Sequence, residues 1–235
     1  METGKIVAIH QPNFFPWLGY FDKIVKSDIF ILLDNVQFPK TGGIWTNRVK
    51  IMVGKTADWI TVPIIRSYHG LKLVSEIEIN DTTLWRKKML ATIESNYKKT
   101  KYFQQIYPVI VPVLENNISN LYRLNINILK TLTNLLGIPW RKCILAASLK
   151  IQTKGTDMLV DLTRAVGGEI YLCGGGTNGY QDDNKFSQAG IKLIYQKYKE
   201  PIYPQRGTSD HVYGLSIIDT LMNCGVETTK NLLRK

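Results

Sequence analysis

The chain has 235 residues, 44% of them hydrophobic and 10% aromatic, a composition that excludes a disordered polypeptide and supplies enough apolar surface for a full core. A net charge of +11 points to an anionic partner, yet the basic residues are scattered, with only short clusters at Arg86-Lys87-Lys88, Lys98-Lys99-Lys101 and Lys197-Lys199. No apolar run reaches membrane-spanning length, and three widely spaced cysteines (Cys143, Cys173, Cys224) offer neither a zinc knuckle nor a disulfide framework.

Met1-Glu2-Thr3-Gly4-Lys5 leads straight into the apolar run Ile6 to Ile9 with no leader pattern, so a cytoplasmic location is expected. His10-Gln11-Pro12 and an aromatic loop through Trp17, Gly19 and Tyr20 follow. Helical spacing then runs through Phe21, Ile24 and Val25, and a second apolar run, Ile29 to Leu33, ends on Asp34-Asn35-Val36-Gln37. This is a β-α-β unit whose polar loops lie at the carboxyl ends of its strands, the edge where open α/β sheets bind ligands. His10 is there a candidate acid/base, or a histidine that merely hydrogen-bonds its loop. Asp34 and Gln37 are candidates to orient an acceptor; Gln11, Trp17 and Tyr20 are candidates for substrate contact. Asp22 and Lys23, one turn into the helix, either reach the site or pair on the helix surface.

Alternation from Thr46 to Ile51 sets Asn47, Val49 and Ile51 on one strand face and Thr46, Arg48 and Lys50 on the other. A second strand, Asp58 to Ile65, completes a hairpin inserted near 44–65 beside the main sheet. Asn47, Arg48 and Lys50 are candidate anion contacts. Lys72 to Ile79 alternates as another strand, and Asn80-Asp81-Thr82-Thr83 offers a helix N-cap. A stripe of Trp85, Met89, Ile93 and Tyr97 predicts a helix over 84–97. Further helices are expected over Tyr102 to Val113 and Ser119 to Leu136, the latter stopped by Gly137 and Pro139. This helical block near 82–137 covers one face of the sheet or forms a small lobe.

The last section is α/β again: a strand over Lys142 to Ala147, a helix over Gly155 to Val166, and a buried strand over Glu169 to Cys173. That strand runs into Gly174-Gly175-Gly176 and on to Tyr180, Asp182 and Asp183, a glycine loop suited to phosphate, carboxylate or sugar hydroxyls. Gly174, Gly175, Tyr180 and Asp183 are therefore candidate ligand contacts. Cys173 is either a nucleophile served by His10 or His211, or a small buried strand residue. A short helix (Phe186 to Ala189), a last strand (Ile191 to Gln196) and a closing helix (Leu215 to Cys224) follow. Ser216 is the expected cap of that helix, with Asp219 and Asn223 on its polar side. His10, His69 and His211 show no metal-ligand spacing, so no metal is expected. GxSxG, P-loop and GxGxxG signatures are missing, and no cofactor is named by the sequence. The fold expected is one α/β domain over residues 1–235 with a mostly parallel, Rossmann-like sheet.

His10-Gln11-Pro12, Pro16 to Lys23, Ser27-Asp28 and Asp34 to Phe38 together resemble the opening signature of the WbqC-like family. Asn47 to Lys50, the Trp59 to Pro63 strand, Trp85, Tyr171 to Gly174, Tyr180, Asp182-Asp183, Phe186, Gly190-Ile191 and Ser216 to Asp219 continue the resemblance over nearly the whole chain. Cys173 departs from it, since serine is expected before the glycine. The resemblance implies a cytosolic role in making bacterial surface polysaccharide (O-antigen, capsule) or a modified sugar. The implied chemistry is acyl, formyl or aminoacyl transfer to a nucleotide-linked amino sugar, with an anionic nucleotide sugar as partner and nucleic acid not expected. A non-catalytic scaffold of a polysaccharide assembly complex is the alternative from another class. The strand-loop-helix-strand layout also resembles that of nucleotidylyltransferases, although Tyr20 stands where their helix-start histidine would be.

Overall fold

The computed structural model describes residues 4–41, 44–174 and 181–234. Strands β1 (Ile6–His10), β2 (Ile29–Leu32), β5 (Cys143–Leu145), β6 (Ile170–Cys173) and β7 (Lys192–Tyr195) form one sheet in the order β5-β2-β1-β6-β7. Every pairing in it is parallel. β3 (Arg48–Val53) and β4 (Thr56–Thr61) pair antiparallel as a separate two-stranded sheet. The mostly parallel α/β expectation holds, and the first and last sections of the chain do build one sheet.

Alternating side chains sort the two faces, because successive strand residues point to opposite sides. Ala8, Phe30, Leu32 and Leu172 pack with α1 (Leu18–Lys26) and α7 (Ile217–Leu233). The same apolar cluster extends into α2 (Trp85–Tyr97), α3 (Phe103–Glu115) and α4 (Leu121–Leu135). Val7, Ile9, Ile31, Tyr171 and Cys173 face the other way, against α5 (Gly155–Ala165) and α6 (Asp183–Gln188). There Tyr171 stacks on Phe186 with ring centroids 4.9 Å apart and planes 6° from parallel.

Counted along the chain, the five strands lie in the order 3-2-1-4-5. Connections therefore leave in opposite directions on either side of the β1/β6 boundary. That boundary is the topological switch point, and its carboxyl end opens a crevice.

Four local expectations are corrected. Lys72 to Ile79 is not a strand but a single 3-10 turn, Val74–Glu76, flanked by isolated bridges to Gln37, Ile64 and Asn120. Its buried residues, Val74, Ile77 and Ile79, follow no two-residue period, since the segment threads between several partners. Asn80 does not cap α2. Its Oδ1 accepts from the Thr82 amide and hydroxyl, and the helix begins at Trp85 with no side-chain cap. α7 continues past Cys224 to Leu233 across a kink at Gly225, whose φ of +77° suits glycine and where a Cβ would run into the Tyr102 ring. On α7, Asp219 is fully buried rather than on a polar side, and accepts hydrogen bonds from the Tyr97 and Tyr203 hydroxyls at 2.9 Å each.

Candidate functional site

At the switch point lies a crevice of about 450 Å³ lined by His10, Asn13, Trp17, Gly19, Tyr20, Lys23, Trp45, Gly174, Gln196 and Tyr198. β1 delivers His10 from its carboxyl end, β6 delivers Gly174, and the segment after β7 delivers Gln196 and Tyr198. α1 contributes Gly19, Tyr20 and Lys23 from its first turns. Residues three and four apart share a helix face, so Gly19 and Lys23 look the same way.

The loop from Gln11 to Trp17 is pinned from several sides. Phe15 sits at φ +38°, a left-handed conformation uncommon for an aromatic residue. Ser216 Oγ donates to the Phe15 carbonyl at 2.7 Å and the Ile217 amide donates to the Pro16 carbonyl at 2.9 Å, so the start of α7 holds that turn. From α4, the fully buried Asn125 donates through Nδ2 to the Pro12 carbonyl at 2.8 Å and to the Thr46 carbonyl at 2.7 Å. The Phe14 amide donates to the Trp45 carbonyl at 2.9 Å, joining the same two loops. The Trp17 indole lies against Gly19 so closely that a Cβ there would run into it.

His10 Nδ1 lies 3.0 Å from the Gln11 carbonyl. A carbonyl only accepts, so Nδ1 carries the proton and Nε2 is left as the basic nitrogen. Burial, and next the nearby Lys23 charge, pull the imidazole pKa from 6.5 to about 4. Lys23 is 3% exposed and donates to the Ile9 carbonyl at 3.0 Å. Burial draws its pKa down to about 8, the Cys173 thiol opposing. The neighbouring carboxylate, Asp22, is committed elsewhere: it pairs with Lys26 at 2.8 Å and accepts from Gln196 Nε2 at 2.7 Å. Tyr198 sets its ring edge on Trp17 at 5.3 Å, and its buried hydroxyl has no hydrogen-bond partner among the described residues.

Of the residues expected from sequence, His10, Trp17, Tyr20 and Gly174 meet in this crevice. Gln11 stands at its edge, accepting from Thr46 Oγ1 at 3.3 Å and, through its carbonyl, from the Tyr20 hydroxyl at 2.9 Å. Asp34 does not reach it. Its Oδ1 accepts the Ala147 amide at 2.9 Å, tying β2 to the turn after β5. Gln37 lines a second cavity of about 610 Å³ beyond the β2 and β5 ends, rimmed by Lys72, Lys150 and Lys154. Asn47 is a buried loop residue whose amide accepts from the Ile44 N–H and donates to the Val62 carbonyl, so nothing of it faces the crevice. Arg48 and Lys50 do share a face, but they flank Trp59, at 4.2 Å and 5.2 Å from its ring. Trp59 in turn meets the edge of Trp45 at 5.1 Å, so these cations stand one aromatic layer behind the crevice wall. Cys173 is fully buried and donates to the Gly174 carbonyl and Gln181 Oε1. Asp183 accepts from Gln181 and from the Tyr195 hydroxyl in the first turn of α6. Gly175 and Tyr180 lie outside the described residues.

The matching family model is the WbqC-like protein family, over residues 11–231. The chain belongs to this family. This WbqC-like chain is also 31% identical over 226 residues to the uncharacterized protein Rv1507c of Mycobacterium tuberculosis, covering 95% of both. No solved structure matches it. Among the described residues there is no helix long and apolar enough to cross a membrane, and no cluster of three or more histidine, cysteine or carboxylate side chains placed to hold a metal ion.

Sequence reasoning missed Asn13, Trp45, Gln196 and Tyr198, and named Lys23 without committing to it. The last three of these residues had a usable signal: a helix face shared with Gly19 for Lys23, and a position just past a parallel strand's carboxyl end for Gln196 and Tyr198.

Proposed function

We propose that this WbqC-like protein is a group transferase of bacterial surface-polysaccharide or modified-sugar biosynthesis, moving an acyl, formyl or aminoacyl group onto the amine of a nucleotide-linked amino sugar. The observation that carries this reading is His10. It is a neutral imidazole at the switch-point crevice, fixed in one tautomer by Gln11, with Nε2 left to accept a proton. In the transfer, the sugar amine attacks the donor carbonyl and loses its proton to Nε2. The imidazolium then returns that proton to the departing group. Trp17 and Trp45 offer flat faces for a sugar ring or base, and Lys23 offers positive charge for an anionic substrate. Family membership supports the pathway, and the reading places the protein in the cytoplasm with its nucleotide-linked substrate. It also takes residues 1–235 as one working unit, with the hairpin and helical block buttressing the loops around His10.

The test is a thermal-shift screen against nucleotide-linked amino sugars, acyl-CoA, formyl folates and ATP, since a ligand bound only by the native state raises the melting point. A nucleotide amino sugar and one acyl-type donor are expected to give saturable shifts. His10→Gln should then lower turnover by roughly two to four orders of magnitude, the usual contribution of a general base, with little change in melting point at neutral pH. Turnover unaffected by that substitution would remove His10 from the chemistry.

A further inference from the structure

Lys23 is unusual among the 30 basic residues of the chain. It is 3% exposed, yet its only hydrogen bond among the described residues is to the Ile9 carbonyl, and it has no carboxylate partner there. An ammonium has three N–H donors, so a buried lysine with one acceptor is under-used. The two donors left over lie at the crevice: Lys23 lines it, and its Nζ comes within 3.9 Å of where a Gly174 Cβ would stand. Tyr198 lines the same crevice, and its buried hydroxyl is a second orphan, without a hydrogen-bond partner among the described residues. Burial and the nearby Glu200 and Asp22 charges hold that phenol protonated, so it too is a donor. The nine-residue helix α1 starts at this crevice with no side-chain cap, adding the positive end of its dipole.

We propose that Lys23 and Tyr198 anchor an anionic oxygen group of the ligand, a carboxylate or a phosphate, in the crevice between the start of α1 and Gly174. The inference rests on the transferase reading for the place of the site and adds the chemical class of what is held there. Buried cations acquire a paired, hydrogen-bonded anion wherever the structure supplies one, and here the described residues supply none. Arg48 was among the anion contacts expected from sequence; it is stacked on Trp59, whereas the cation that lines the crevice beside Gly174 is Lys23 of α1.

The experiment titrates wild type, Lys23→Met, Tyr198→Phe and His10→Gln with sodium acetate, inorganic phosphate and pyrophosphate at constant ionic strength, reading melting temperature against chloride controls. One class of anion should raise the wild-type melting point saturably. Acetate alone would mark a carboxylate site; phosphate or pyrophosphate would mark a phosphate site. Lys23→Met should weaken that binding at least tenfold and Tyr198→Phe about threefold, while His10→Gln should bind the anion as wild type does. Lys23→Met should also melt no lower than wild type, since it replaces a buried charge with an apolar side chain of similar length. Anion binding that survives in Lys23→Met overturns the proposal and leaves the transferase reading standing. So does the absence of any saturable anion effect in wild type. Loss of several degrees of melting temperature in Lys23→Met, without added anion, would also overturn it, by making Lys23 a structural prop for Ile9. Full turnover in His10→Gln would instead sink the transferase reading without touching the anion site.

Discussion

Asn125 offers the sharpest test of how the crevice is held. The residue is on α4, fully buried, and its Nδ2 bridges the Pro12 and Thr46 carbonyls at 2.8 and 2.7 Å. Asn125→Ala removes both donors and leaves two buried carbonyls without them. An unsatisfied buried acceptor costs about 1–3 kcal/mol, so the pair sets an upper range of about 2–6 kcal/mol. Asn125 Oδ1 is itself buried without a partner, and losing that orphan offsets part of the cost. A net loss of about 3 kcal/mol follows, which for a chain of this length is a fall in Tm of roughly 6–12 °C. Urea and thermal unfolding give the stability; fluorescence of Trp17 and Trp45 reports on the crevice. The same substitution should loosen any ligand of that crevice, because one bridged loop carries His10's neighbours and the other carries Trp45. A loss under about 1 kcal/mol would mean that neither bond matters, and the claim that the helical block sets the site would go with it.

Four further outcomes are expected. kcat/KM should be highest between about pH 4, below which His10 of the free protein is protonated, and about pH 8, above which its Lys23 loses its charge; a pH profile of kcat/KM reads both limbs. Because His10 is pulled below its unfolded value of 6.5 to about 4, the native state binds fewer protons there. Stability should fall as pH drops through that window, by about 3 kcal/mol more in wild type than in His10→Gln, measured by urea unfolding at several pH values. Asp219 has the opposite sign. Burial raises its pKa to about 6, so its stabilising effect is full below 3.8 and lost as pH rises through 6, and Asp219→Asn should flatten that slope in the same urea series. Gly19→Ala should displace the Trp17 ring, seen as a shifted tryptophan emission, and weaken ligand binding at least tenfold.

Much of the fold was legible because strands and helices announce themselves by period. The apolar runs at Ile6 to Ile9 and Ile29 to Leu33 could only be buried parallel strands flanking a helix. The same logic found β6. Lys72 to Ile79 failed because alternation is only a proxy for a flat, paired backbone, and this segment exchanges hydrogen bonds with several separate neighbours. At the site, His10, Trp17, Tyr20 and Gly174 were legible from their place at strand ends. Asp34 and Gln37 were placed with them on the same argument, and the structure separates them. A carboxylate or amide at a strand end serves equally well to cap a turn, as Asp34 does for Ala147. Arg48 and Lys50 were on the expected face, but no pattern in the sequence shows that Trp59 stands beside them. Asn125, more than one hundred residues from the loop it holds, left no local signal at all.

The two ionisable groups of the crevice constrain each other. Lys23 sits in a poorly solvated place where a positive charge is expensive, and a carboxylate partner would ordinarily offset that. Asp22 is adjacent in sequence but spent on Lys26 and Gln196. His10 cannot relieve the strain, since protonating it would add a second cation, and Lys23 is one reason its pKa is held down. The hydrogen bond from Lys23 to the Ile9 carbonyl does not need a charge, and an uncharged donor would make it more cheaply. The proposed anion is what would make use of that charge. An anion entering beside Lys23 would lift the pKa of both residues at once, drawing His10 back towards neutrality where a general base works best. The crevice is electrostatically incomplete on its own, and the ligand that completes it also tunes the base.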